Sequence, residues 1–258
     1  MIYDSLSVAL LSLLGTESAD STNAHIARYL LEHQQDLDEV SVKSLAEACH
    51  VGTGSVSRFA KEVGFGSFAD LRQAFVDARR GYARVEGSDV SERAQNLARL
   101  NARAIARAAA SVDTAAVVRL ARDLRAYERV QVYGPLKAQS AALSLQVDLL
   151  MQGKLVDTCA AWSEQLERIA HASRDELVVI FSYTGTFFEA RDLRDTLQRL
   201  DRPKLWMVCG SDRPLPSYIS DRVLFDSDHS PFGHPYQLEF VAGLIAQEYV
   251  ALVRDGEG

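Results

Sequence analysis

The chain has 258 residues, 47% of them apolar, enough for one large or two modest hydrophobic cores. Its formal charge of −7 excludes a protein that coats nucleic acid along its whole surface, and three cysteines without a CxxC pair exclude a disulfide framework and a cysteine zinc site. No apolar run approaches the roughly 20 residues that span a bilayer and the start lacks a basic n-region, so no membrane partner and a cytoplasmic location are expected.

In chain order, Ile2, Leu6, Leu10, Leu13 and Leu14 fall at helical spacing and predict an amphipathic first helix that packs on the following helices or on a partner subunit. Ala19 to Thr22 supplies caps for a second helix, in which Ile26, Tyr29, Leu30 and His33 share a face. From Ser41 to Phe75 two short apolar stripes follow one another. Val42, Leu45, Ala46 and Cys49 form the first, and Val56, Phe59, Ala60 and Val63 the second. Between them lies His50-Val51-Gly52-Thr53, room only for a tight turn with Val51 plugging the angle, and this predicts a helix-turn-helix.

The face that the second of these helices does not bury offers Thr53, Gly54, Ser55, Ser57, Arg58 and Lys61. Small residues, hydroxyls and two cations suit a helix in the major groove of double-stranded DNA. Arg58 would bond a guanine edge or a phosphate, Lys61 a phosphate, and Thr53, Ser55 and Ser57 either one. An ordinary solvated helix face would have the same composition. Local charge favours the first reading. Residues 41–85 hold seven Lys/Arg against four Asp/Glu, a balance of +3, which leaves −10 for the rest of the chain.

Gly64 ends the recognition helix, Ser67 caps the next, and Phe68, Leu71 and Phe75 close the small core, so a helical domain reaches about Ala83. Glu86-Gly87-Ser88-Asp89 reads as a linker, followed by a helix with Leu97, Leu100, Ala104 and Ala108 on one face and another capped by Asp113 with Val117, Leu120, Ala121 and Leu124 inward. From Glu128 onward five strand candidates appear: RVQVYG, KLVDT, ELVVIFS, KLWMVCG and RVLFD. Helices are expected from Leu136 to Met151, Ala161 to Ala170, Phe187 to Leu200 and Gln237 to Val253. That alternation predicts a doubly wound α/β domain, whose ligands bind beyond the carboxyl ends of its parallel strands.

The loop after the third strand candidate, Ser182-Tyr183-Thr184-Gly185-Thr186-Phe187-Phe188-Glu189, sets hydroxyls around a glycine at a strand-to-helix junction, a place where free N–H groups can hold an anion. The same residues would also serve merely to turn the chain and cap a helix. In the loop after the first strand, Lys137, Gln139 and Ser140 are further ligand candidates, and Gln237 and Glu239 could reach a ligand from the last helix. His229 and His234 precede that helix without a second ligand at metal-like spacing, so no metal and no cofactor are expected.

The run SLAEACHVGTGSVSRFAKEVGFGSFADLR resembles the DNA-binding domain of the RpiR family of bacterial regulators, matching through Arg58-Phe59, Lys61, Gly64-Phe65 and Phe68. His50 stands where the family has Gly, and Gly52 where a Ser or Thr would cap the recognition helix. FSYTGTFFEA and VYGPLKAQSAALSLQVDLLMQG resemble the two loops of the SIS, or sugar isomerase, domain that follows in such regulators and binds phosphosugars. Gly134, Ser182, Thr184 and Gly185 match that pattern, while Leu136 replaces a glycine, Ala138 the phosphate-binding serine and Phe187 a threonine. Each hydroxyl lost from a charged phosphate would remove about 1.5–3 kcal/mol.

The resemblance implies a helix-turn-helix domain over residues 1–85, a linker and connecting helix over 86–112, and an α/β SIS domain over 113–258. It implies a homodimeric or homotetrameric transcriptional regulator, not an enzyme, that binds a DNA operator and senses a small carbohydrate effector. A regulator whose SIS domain only dimerises, or a sugar-phosphate isomerase, are the alternatives.

Overall fold

The computed structural model describes residues 10, 11, 13, 14, 18, 20–34, 36–63, 65–78, 85–188, 194–197, 201–227 and 232–255. The chain divides into two compact units, one of residues 1–82 with 161–163 and 188–191, the other of 83–160, 164–187 and 192–258.

The first unit is helical. Helix α1 (Thr22–Glu32) starts where Ser21 Oγ accepts from Ala24 N–H and buries Ala24, Ile26, Ala27 and Leu30. His33, expected on that inner face, is instead exposed past the helix end, its ring stacked on Tyr29 at 4.0 Å. After a single 3-10 turn at Leu37–Glu39, α2 (Val42–Ala48) opens on a capping box between Ser41 and Ser44. Helix α3 (Thr53–Glu62) and α4 (Phe68–Ala78) follow, with Ser67 Oγ accepting from Asp70 N–H at the start of α4. Ile26, Leu30, Leu37, Leu45, Val56, Phe59 and Leu71 are fully buried in one core, joined by Leu10. Each such side chain contributes about 1.5–3 kcal/mol by leaving water. Of the amphipathic stretch expected at the start, residues 10, 11, 13 and 14 are helical and the remainder lies outside the described residues, as does Gly64.

The second unit opens with α5 (Val90–Ser111), whose first turn is built rather than loose: Asp89 accepts from Glu92 N–H at 2.9 Å, and Glu92 accepts from Ser88 N–H at 2.8 Å. The bonds from the Ser88 N–H and hydroxyl hold the Glu92 carboxyl below its ordinary range. Helix α6 (Thr114–Ala126), capped by Asp113, buries Val117, Leu120, Ala121 and Leu124. Then come β1 (Arg129–Tyr133), α7 (Ala138–Leu150), α8 (Trp162–His171), β2 (Glu176–Phe181), the short α9 (Arg194–Leu197), β3 (Lys204–Cys209), β4 (Asp221–Leu224) and α10 (His234–Asp255). The four strands are parallel in the order β1-β2-β3-β4. Every residue of β2 is buried, and all of β3 but Lys204, so both faces of the sheet centre are covered. Trp206 Nε1 donates to Asp123 Oδ2 at 2.7 Å, tying the sheet to α6.

The second of the five expected strands, KLVDT, is reduced to one bridge, Asp157 with Gln131. Gly153 turns the chain at φ 76° just before it, and beyond Asp157 the carbonyl of Cys159 is taken by the Gln165 side chain, leaving too few residues to extend a ladder. The helix expected from Leu136 begins two residues later because Leu136 takes φ 49°. Residues 187 and 188 form a turn rather than the start of a helix, and α10 begins three residues earlier than expected.

Phe59→Ala should destabilise the first unit by about 3–5 kcal/mol, read as a lowered urea midpoint of its helical signal. A loss under about 1 kcal/mol would mean that Phe59 does not anchor α3.

Candidate nucleic-acid interface and effector site

Helix α3 commits Val56, Phe59 and Ala60 to the core and leaves Thr53, Gly54, Ser57, Arg58 and Lys61 exposed, with Ser55 half-buried. Two backbone features fix its direction. His50 adopts φ 54°, a left-handed turn that costs a residue with a Cβ roughly 1 kcal/mol, and Val51 N–H donates to Ala46 O at 2.9 Å while its side chain packs on the core. Gly52 caps α3 in an extended conformation without a side-chain bond. A Cβ at Gly52 or Gly54 would meet nothing within 4 Å, so this end of the helix is open to close approach. Ser57 Oγ donates to Thr53 O at 3.2 Å. Among the described residues Arg58 and Lys61 form no ion pair, and their charges face solvent.

In the second unit the loops after β1 and β2 lie at the carboxyl edge of the sheet. Strand β1 pairs with β2 on one side and with Asp157 on the other, so the chain leaves β1 in one direction and returns in the opposite one. That reversal is where open parallel sheets form a crevice. Gly134 is buried, and a Cβ there would meet Ala138 O at 2.5 Å, so the start of α7 crosses directly over it. Leu136 holds the left-handed backbone that a glycine would hold without strain. Lys137 is exposed at the N-cap of α7, and Ser140 Oγ donates to Lys137 O at 2.7 Å. Gln139 bonds Thr158 Oγ1 at 3.1 Å and the amide of Gln165 at 2.9 Å. Gln165, fully buried and absent from the sequence candidates, also donates to the carbonyls of Gly134 at 3.1 Å and Cys159 at 2.7 Å.

In the loop after β2, Gly185 takes φ 72° and its N–H donates to Ser182 O at 2.8 Å. Thr184 and Thr186 are half-buried, their hydroxyls 2.6 Å apart, a pair of donors and acceptors on one side of the turn. Ser182, Tyr183, Phe187 and Phe188 are buried. The Tyr183 hydroxyl bonds Ser227 Oγ and lies 3.5 Å from Gln237 Oε1, and its ring packs 4.7 Å from that of His234. Gln237, fully buried, donates to Ala104 O at 2.8 Å and Asp226 O at 3.3 Å. It ties α10 to α5 and does not face a ligand space as the sequence suggested. His229 lies outside the described residues, and among those described no group of three or more His, Cys, Asp or Glu is placed to hold a metal.

A cleft of about 560 Å³ that sequence reasoning missed is lined by Ser111, Asp113, Asp212, Asp221, Arg222 and Asp226, among others. Arg107 pairs with Asp226 at 2.8 Å and Arg119 with Asp221 at 2.9 Å, so two of its four carboxylates are already neutralised.

Residues 14–79 match the model of a helix-turn-helix domain, rpiR family. The chain is 22% identical over 226 residues, covering 84% of its own length and 79% of the other's, to an HTH-type transcriptional regulator, TTE0211, of Caldanaerobacter subterraneus subsp. tengcongensis. Among solved structures it is similar to the Vibrio vulnificus NanR protein complexed with ManNAc-6P, at a TM-score of 0.57 and 16% identity over 97% of this chain and 93% of that one. It is also similar to the c3406 protein of E. coli CFT073, at a TM-score of 0.55 and 13% identity over 66% of this chain and 94% of that one. The class is therefore a DNA-binding transcriptional regulator, a helical reader joined to a parallel α/β domain, as the sequence led us to expect. The likeness to the rpiR family lies in the N-terminal helix-turn-helix domain, residues 14–79.

Gly134→Ala should force α7 off the end of β1, because the added methyl meets backbone rather than a flexible side-chain tip. A fall of about 2 kcal/mol or more in stability is expected in thermal unfolding. Unchanged stability would show that the crossing is looser than 2.5 Å implies.

Proposed function

We propose that the protein reads an operator as a dimer through α3 and that its α/β domain senses a carbohydrate derivative, a phosphosugar or related sugar, at the loops after β1 and β2. The observation that carries the ligand half is the pairing of two positive-φ turns, Leu136 and Gly185, at the point where the chain reverses across the sheet. Around them stand the candidate groups Gly134, Lys137, Ser182, Tyr183, Thr184, Gly185 and Thr186. The similar protein NanR is complexed with ManNAc-6P, which makes sugar phosphates the first class to test. Lys137 supplies the charge and Thr184 with Thr186 the hydroxyls for such an anion. Gln139 and Ser140 are spent on their own neighbours and act in this reading as supports of the loop.

Catalysis is not part of the proposal, since isomerisation needs a positioned base beside the sugar. A dimer would read half-sites about one turn, roughly 34 Å, apart or a multiple of it. Effector binding must favour one arrangement of the paired α3 helices, because a ligand that binds both equally shifts nothing. A second reading is a domain that binds no ligand and only pairs subunits. The buried Phe187 and the engaged Tyr183 hydroxyl favour it.

Thermal-shift screening against phosphorylated sugars, free sugars and sugar acids separates the two. A ligand at one hundred times its Kd adds about 2.7 kcal/mol and a clearly raised midpoint. Silence across all three sets would contradict ligand sensing. For the DNA half, Arg58→Ala should cost about 1–3 kcal/mol in anisotropy titrations with relaxed preference at one base position, while Lys61→Ala should weaken all sequences alike and lower the salt slope by about 1. Unchanged affinity in both variants would remove α3 from the interface.

A further inference from the structure

The loop that leaves β3 runs alongside the turn after β2. Gly210 N–H donates to Tyr183 O at 2.9 Å, and Ser182 N–H donates to Val208 O at 3.0 Å. Three residues past Gly210, the stem of Arg213 lies across Gly185. The Cβ position of that glycine stands 3.4 Å from Arg213 Cδ and 3.5 Å from its Cγ, with Leu215 Cδ2 also at 3.5 Å. That is van der Waals contact, and it sets where the stem rests. The backbone of Arg213 is held as well: its carbonyl accepts from Arg222 Nη1 at 3.0 Å, and Pro214 after it confines it to extended conformations. Arg213 is nevertheless exposed, the behaviour of an arginine that lays its methylenes on the protein and keeps its charge in water.

Consecutive Cα atoms are about 3.8 Å apart, so Thr184 and Thr186 stand on either side of the glycine that Arg213 covers. Their hydroxyls, 2.6 Å apart, offer hydrogen bonds without charge. A chain of formal charge −7 repels an anion, so a phosphate ester, carrying about −1.5 to −2, needs local cations to hold it. Lys137 supplies one positive charge from the loop after β1, and Arg213 supplies another beside the hydroxyls. Asp212 and Arg222, which line the adjoining cleft with Arg213, offset each other. A guanidinium fork on a phosphate is roughly twice as strong as a neutral hydrogen bond. It can therefore take over from the hydroxyls that Ala138 and Phe187 do not provide.

We propose that Arg213 holds the phosphate of the effector, its guanidinium forked onto two oxygens of an ester that also bonds the Thr184 and Thr186 hydroxyls. This rests on the loops after β1 and β2 being the effector site, and it narrows the effector to a phosphorylated carbohydrate. The full chain is titrated calorimetrically with inorganic phosphate and with phosphorylated sugars, free sugars and sugar acids. Arg213→Met, which keeps a stem on Gly185, and Arg213→Gln should each weaken phosphate and phosphorylated sugars about 10- to 100-fold. Arg213→Lys should recover part of the loss, since lysine keeps the charge without the fork. Binding to the parent should also weaken as pH falls through about 6, where the ester takes a proton. Unchanged affinity in either uncharged variant, once folded, would overturn the proposal. If Thr184→Val abolishes binding in the same titrations, the effector site itself stands without Arg213. Sugar acids or free sugars bound more tightly than phosphorylated ones would overturn the proposal too, and a parent silent to every probe would remove the effector site with it.

Discussion

The burial of Phe59 is the contact on which the regulator account depends. With Val56 and Ala60 it spends one side of a ten-residue helix on the core, and the rotation of the helix is then fixed: Thr53, Ser57, Arg58 and Lys61 have nowhere to point but outward. A surface of this kind needs no side-chain flexibility to be presented, since the same hydrophobic packing that folds the domain sets it. The strained turn at His50 has the same logic. Its left-handed backbone costs about 1 kcal/mol and sets the angle at which α3 leaves α2.

The second unit works by a comparable economy at the edge of its sheet. Gly134 lets α7 cross the end of β1, Leu136 turns the chain at the cost of strain, and Gln165 gathers the carbonyls of Gly134 and Cys159. The loop after β2 is held through Tyr183, whose hydroxyl reaches Ser227 and Gln237, and Gln237 in turn bonds a carbonyl of α5. Whatever occupies this edge therefore acts on a scaffold most of whose polar groups hold the protein together. The Thr184 and Thr186 hydroxyls are half-buried there, 2.6 Å apart, and Lys137 is exposed.

The helix-turn-helix was legible because both of its stripes repeat at helical spacing across a turn too short for anything else, and the α/β class because apolar runs and amphipathic stretches alternate. The edge strand was not legible. KLVDT has the composition of a strand, but what ends it is a side chain, Gln165, from another element. The loops proposed as the ligand site fall at the carboxyl edge of the sheet as the strand pattern implied, but the hydrogen bonds of their side chains were not legible. Gln139 and Gln237 read as available amides, and their partners sit 19 to 26 and 11 to 133 residues away, separations that no local pattern reports.

The account's central claim is that α3 reads base sequence. The most direct measurement is selection of duplexes from a random pool by the full chain, followed by the same selection with Arg58 and Lys61 both changed to alanine. The account predicts enrichment of a two-fold-related sequence with half-sites a whole number of turns apart, lost in the double variant. Retention of random duplexes without enrichment, or the same enriched sequence from both proteins, would contradict it.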